Sequence, residues 1–319
     1  MPNMNESARE ALTVKDAARR LDGRDVLVGT SLHVRRGSIV GLLGPNGAGK
    51  TSLLRAVAGR LRLDTGEVRI AGLAPAEARQ QARLGVVPQD IALYAHLTVE
   101  ENLAVLGRLA GVPPASLRAR VGEGLAWAGL ADRADAIVTT LSGGMRRRVN
   151  LVAGTLHQPA LLLLDEPTVG VDTDARARLH GLLRSLRDAG MGVLIATHDA
   201  DEASVVCDEV AVMCGGRVVI QAPVAELVRD TFGGERELSL VFEQPLPSAA
   251  ALLLQREQFR PSGDGRWVRR GSGLPPHLDS LQQQLQDAGA RVTETRVSEP
   301  HLRGAVAFIL EQHAGQYAA

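Results

Sequence analysis

The chain has 319 residues, of which 45 % are hydrophobic and 23 % charged, ordinary for a globular protein with room for two domains. Acidic and basic residues number 36 each, so charge gives no case for nucleic acid as the main partner. Cys207 and Cys214 lack metal-ligand or disulfide-framework spacing, which points to a reducing compartment. No signal peptide and no run near the roughly 18 apolar residues of a spanning helix is read, so a membrane role needs another chain.

Residues 1–11 read as a disordered tail. Thr13 to Gly41 alternates short apolar stretches with turns at Asp22-Gly23 and Arg36-Gly37, a pattern of antiparallel strands that Glu67–Ile70 continues. Ile39–Leu43 and Gly85–Val87 read as buried strands. From Thr98 to about Leu130 the pattern is helical, broken at Gly111–Pro114. Ser142 is placed as an N-cap for a helix with Met145, Val149, Val152 and Leu156 on its apolar face. Arg146, Arg147 and Arg148 fall off that face and read as solvated. Leu161–Leu164 and Gly192–Ala196 are further buried strands, separated by an amphipathic helix from Ala175 to Ala189. Buried strands alternating with helices predict an α/β fold with a mainly parallel sheet. Beyond Gly233-Gly234 the composition shifts, and three strands (Leu238–Phe242, Arg266–Arg269, Arg291–Arg296) alternating with three helices (Ser248–Gln258, His277–Ala288, Leu302–Gln312) predict a small C-terminal α+β domain over 235–319.

The organising stretch is Gly44, Pro45, Asn46, Gly47, Ala48, Gly49, Lys50 and Thr51, between the strand at Ile39–Leu43 and a helix carrying Leu53, Leu54 and Val57. Glycines let successive N–H groups face one concavity, and the helix start adds positive potential for phosphates. Lys50 reaches the phosphates and the Thr51 hydroxyl a divalent cation. The alternative is a plain glycine-rich turn. Lys15 and Lys50 are the only lysines, so a lysine kept here argues for a compact ammonium.

Asp165-Glu166 ends the leucine strand and aims carboxylates into the crevice beyond the sheet. Asp165 suits Mg2+ and Glu166 the attacking water, whereas acids at strand ends are often merely solvated. His198 ends the next strand as a donor to phosphate or water, or as a surface histidine. Gln89 is either a Mg2+ or water ligand or surface polarity. Ser142, Gly143 and Gly144 open a helix as a second anion site, which makes sense if it serves the nucleotide of another copy.

In order and spacing this set resembles the nucleotide-binding subunit of ABC transporters over about residues 12–230. Gly44 to Thr51 matches the Walker A loop, Gln89 the Q-loop, Leu141–Gly144 the signature, Leu161–Glu166 Walker B with its catalytic glutamate, Asp172 the D-loop and His198 the switch histidine. The resemblance implies an ATPase domain over 12–232 with an antiparallel β subdomain and a helical subdomain near 89–158. It implies ATP on Gly44–Thr51 and Ser52, and Mg2+ on Thr51, Gln89 and Asp165. Hydrolysis falls to Glu166, His198 and Gln89. Partners would be a second identical subunit, contributing Ser142, Gly143, Gly144 and Asp172, and a separate integral-membrane permease at the cytoplasmic face of the cell membrane. Met145–Arg148 and Thr168–Asp172 resemble the drug, antibiotic and polysaccharide exporters, and Tyr94 would lie on the permease-facing side. The degraded Pro300-His-Leu302 ending resembles the same branch, with Arg303 and Val306 at its acidic and aromatic positions. Leu21 stands where these subunits stack adenine on an aromatic ring, which removes stacking but keeps apolar contact. The alternatives are a soluble ABC ATPase of translation or DNA maintenance, and a cassette that binds without hydrolysing.

Overall fold

A computed structural model describes residues 9–233, 236–243, 246–262, 265–271, 278–298 and 300–317. The chain divides into two compact units, Met1–Pro223 with His313–Ala319, and Val224–Gln312.

The first unit is built on strands β1 (Glu10–Leu21), β2 (Arg24–Arg35) and β3 (Ile39–Leu43), helix α1 (Lys50–Val57), strand β4 (Thr65–Ile70), helix α2 (Pro75–Gln80) and strand β5 (Leu84–Val87). Helices α3 (Val99–Leu109), α4 (Pro114–Trp127) and α5 (Gly143–Thr155) follow. The unit continues through β6 (Leu161–Asp165), α6 (Thr173–Asp188), β7 (Gly192–Thr197), α7 (Ala200–Val206), β8 (Glu209–Cys214) and β9 (Arg217–Pro223).

Its central sheet runs β5-β6-β7-β3-β8-β9. Pairing is parallel throughout except between β8 and β9. Every residue of β3 and β7 is buried, as expected of strands covered on both faces. A second sheet, β2-β1-β4, is antiparallel. Strand β1 begins at Glu10, inside the segment expected to be a tail. Ala11 is fully buried and its carbonyl accepts the Ala71 N–H, which fixes the backbone there. Met1 to residue 8 of that segment lie outside the described residues.

A separate helical cluster joins Leu103 of α3, Leu117 and Val121 of α4, and Val149 and Val152 of α5. The start of α3 is set by sequence: Thr98 Oγ1 accepts the Glu101 N–H and Glu101 Oε2 accepts the Thr98 N–H, a capping box.

The second unit comprises α8 (Val224–Phe232), β10 (Arg236–Phe242), α9 (Ser248–Arg256), β11 (Arg260–Pro261), β12 (Arg266–Gly271), α10 (Leu278–Asp287), β13 (Val292–Ser298) and, as far as Gln312, α11 (Leu302–Tyr317). The sheet order is β11-β12-β10-β13, all antiparallel, the split β-α-β arrangement. Its core contains Leu240, Leu254, Phe259 and Leu285. Helix α8, expected within the first domain, clusters with this unit. Its Phe232 is buried, with its ring 2.9 Å from the position of a Cβ on Gly304. The helix expected from His277 starts at Leu278, and His277 lies outside the described residues. The two-residue strand β11 was not anticipated, because so short a segment carries no period to read.

Candidate functional site

The register of the parallel strands sets the site. Leu43 pairs with Thr197, and Asp165 with Ala196, so β3, β7 and β6 end side by side. The segments leaving these ends carry Gly44–Gly49, His198 and Glu166. Val87 pairs with Leu164, which brings the exposed Gln89 to the same edge of the sheet. This is the crevice beyond the carboxyl ends of the strands, where open α/β folds bind ligands.

The loop needs glycine for steric reasons. A Cβ on Gly44 would stand 2.3 Å from the Met213 carbonyl oxygen. Gly49, at φ 105°, precedes α1 in a conformation that L side chains rarely adopt. Lys50 is 9 % exposed, and its ammonium donates to the carbonyls of Gly44 at 2.6 Å and Pro45 at 3.1 Å. Burial pushes the Lys50 pKa down, and the charges of Glu166 and Asp165 hold it up. Burial and the adjacent Glu166 push Asp165 above the usual carboxylate range, opposed by Lys50 and Arg55. Thr51 and Ser52 occupy the first turn of α1, behind Lys50.

Glu166 has φ 47°, unusual for a residue with a side chain, and its N–H donates to the Ala196 carbonyl at 2.8 Å. His198 Nδ1–H donates to Glu166 Oε1 at 2.9 Å; the carboxylate can only accept, so Nδ1 carries the proton. The structure therefore gathers Lys50, Asp165, Glu166 and His198.

The residues at the start of α5 belong to another cluster. Ser142 Oγ accepts the Met145 N–H at 3.3 Å, as an N-cap does. A Cβ on Gly144 would meet Ala175 Cβ at 2.6 Å and Asp172 Oδ2 at 4.0 Å, so Gly144 packs on the start of α6. Asp172 caps that helix by accepting the Ala175 N–H at 2.8 Å. Gly143 is exposed, with nothing within 4 Å of its would-be Cβ. Leu21 is half-buried at the end of β1, paired with Arg24 across the Asp22-Gly23 turn.

Two groups escaped the sequence reading. Arg147 and Arg148, expected on a solvated face, are 8 % and 9 % exposed. Arg147 Nη1 donates to the carbonyls of Gln89 and, at 3.4 Å, Pro88. Arg148 donates to the Ala128 carbonyl. Backbone carbonyls replace water around both guanidiniums, and no periodicity reports such acceptors. Burial pushes both pKa values down, with Asp90 opposing at Arg147. The second group braces β7: Thr197 Oγ1 donates to Glu202 Oε2 at 3.1 Å, and His180 Nε2 lies 3.3 Å from Glu202 Oε1. Glu202 and His180 are 3 % and 4 % exposed. Asn102, fully buried, accepts the Tyr94 N–H at 2.7 Å and donates to its carbonyl at 3.0 Å, fixing the loop on which the Tyr94 side chain stays 51 % exposed.

Among the described residues, no cluster of three or more His, Cys, Asp or Glu side chains forms a metal cage. Mg2+ is usually held by one or two carboxylates together with substrate phosphates, so the donor set of Asp165 and Thr51 beside a phosphate loop fits it.

The ABC transporter family matches residues 27–169. A Nod factor export ATP-binding protein I of Ralstonia nicotianae is 40 % identical over 256 residues, 79 % of either chain. A daunorubicin resistance ATP-binding protein, DrrA3 of Streptomyces coeruleorubidus, is 34 % identical over 300 residues, covering 92 % of this chain and 94 % of its own. Of the solved structures, an ATP-binding subunit of an ABC transporter superposes with a TM-score of 0.63 at 29 % identity, over 70 % of this chain and 93 % of that one. The structure of cbiO1 from Clostridium perfringens, described as part of the ABC transporter complex cbiONQ, matches with the same TM-score at 28 % identity, over 70 % and 94 %.

Proposed function

Since this chain belongs to the ABC transporter family and is an ATP-binding subunit with ATPase chemistry, we propose that it energises export through a separate membrane permease. The convergence of Lys50, Asp165, Glu166 and His198 at one sheet edge carries the reading.

Residues Gly44 to Ser52 hold the triphosphate, with Lys50 neutralising its terminal groups. Thr51 and Asp165, with Gln89, hold Mg2+, which supplies charge neutralisation on the phosphates when bound. Glu166 orients and polarises the attacking water, and His198 donates to the transferring phosphoryl group while its Nδ1–H bond to Glu166 fixes its ring. Phosphoryl transfer needs alignment and charge stabilisation more than covalent help, which suits this group. Ser142, Gly143, Gly144 and Asp172 complete the site of a second copy, so that ATP closes a head-to-tail dimer and hydrolysis reopens it. The packing of Gly144 against α6 supports this: the second anion site is built into its own cluster, with Ser142 and Gly143 exposed.

No helix among the described residues is long and apolar enough to cross a membrane. A permease segment would sit in the groove of about 330 Å3 bordered by Pro88, Ala92, Leu106 and Leu109. Leu109, at its border, is 74 % exposed. Such docking places the protein at the cytoplasmic face of the cell membrane. The export and resistance roles named for the relatives speak against a role in translation or DNA maintenance.

The Glu166→Gln variant tests the core of this reading. It is expected to bind ATP, dimerise on size-exclusion chromatography and release phosphate at least about a hundredfold more slowly. Wild-type turnover in that variant would remove Glu166 from the mechanism, and a persistent monomer with bound ATP would remove the two-copy site.

A further inference from the structure

The unit Val224–Gln312 holds a cavity of about 720 Å3 whose lining, among the described residues, is its own. That is the size range of pockets that enclose drug-sized ligands. Phe259, Val268, Ala307 and Phe308 contribute apolar walls. Small residues on α11 make the room: Ala307 lines the space, and Gly304 lets the helix approach Phe232 and His301.

The polar groups are unevenly matched. Three arginines, Arg260, Arg266 and Arg303, line the cavity against two glutamates, Glu237 and Glu311. Glu237, Arg303 and Glu311 have partners of their own. Arg260 and Arg266 have no side-chain hydrogen bond or ion pair among the described residues. They also stand close together. Arg260 pairs with Val268 in the β11–β12 ladder, and Arg266 lies two residues before Val268, so both guanidiniums project from one face of the hairpin as diagonal neighbours. Two like charges so placed repel unless an anion lies between them.

His301 also lines the cavity.

We infer that this cavity is a binding site for a small organic anion with an apolar body. The anionic group is held between Arg260 and Arg266, and the body packs on Phe259 and Val268. The site shares no residue with the nucleotide loop and does not depend on the transport reading.

The test uses the full-length chain with its nucleotide site saturated by ADP, titrated calorimetrically with anilinonaphthalene sulfonate and with phenylnaphthylamine, its uncharged parent. One saturable sulfonate site per chain is expected, with the parent at least about tenfold weaker. Reversing both charges, Arg260→Glu with Arg266→Glu, is expected to weaken the sulfonate at least about tenfold and leave the parent within about twofold. Ala307→Trp, which fills the space, is expected to weaken both, and Arg291→Glu, a charge reversal outside the cavity, neither. Should the Ala307 variant fail to fold by circular dichroism, the exposed arginine pair still decides the matter. The inference is overturned if no saturable site exists, if sulfonate and parent bind alike, or if Arg291→Glu weakens the sulfonate as much as the paired reversal does.

Discussion

Arg147→Met removes a guanidinium but keeps most of the packed side-chain volume. In the structure that guanidinium donates to the carbonyls of Pro88 and Gln89, tying α5 to the segment whose Gln89 is proposed to hold Mg2+. A hydrogen bond involving a charged donor contributes about 1.5–3 kcal/mol. Two such bonds are offset by the desolvation that pushes the Arg147 pKa down. A net loss of about 2 kcal/mol is the reasonable balance, localised to the loop. At 1.4 kcal/mol per factor of ten, opening of the Gln89 loop rises roughly thirtyfold. Limited cleavage before Asp90 by an Asp-specific protease would show this rise, while amides of β3 and β7 keep their protection in hydrogen exchange. Phosphate release should slow with ATP affinity little changed, because Lys50 and its loop are untouched. Arg147→Lys, a single point donor on a shorter reach, should fall between. Cleavage between Gln89 and Asp90 within about twofold of wild type in the Met variant would refute the tie.

Two further outcomes follow from the geometry. His157 lies against β5, with Nε2 3.0 Å from the Leu84 carbonyl. Burial holds its imidazole below the ordinary range, the Leu84 bond opposing and Arg120 adding to the shift. The unfolded chain therefore takes up a proton first, and stability is lost as pH falls through the ordinary imidazole value of about 6.5. Thermal melts on either side of that pH should drop more steeply in wild type than in His157→Leu, and equal drops would contradict the assignment. His198→Ala loses a hydrogen bond to Glu166 made by a side chain that is 61 % exposed. Stability should change by less than about 1 kcal/mol in urea unfolding, whereas phosphate release falls about a hundredfold or more. A large stability loss with retained turnover would make His198 a structural residue.

The amino-acid sequence by itself determined the α/β class, the mainly parallel sheet and the order of the phosphate loop, Asp165-Glu166 and His198 along the chain. These depend on short-range chemistry: apolar runs buried on both faces, glycines where a Cβ would strike Met213, and acids or a histidine at strand ends. Tertiary structure alone decided which side chains face which. Register across β6, β7 and β3 brings Glu166 to His198, a pairing 32 residues apart that no local pattern encodes. Arg147 and Arg148 look solvated on a helical wheel, yet carbonyls from distant segments accept their protons. Helix α8 joined the second unit because Phe232 packs there, and the cavity beside Arg260 and Arg266 exists only once β11, β12 and α11 are assembled. Periodicity records burial along one element, whereas hydrogen-bond acceptors, charge neighbours and enclosed space belong to pairs of elements.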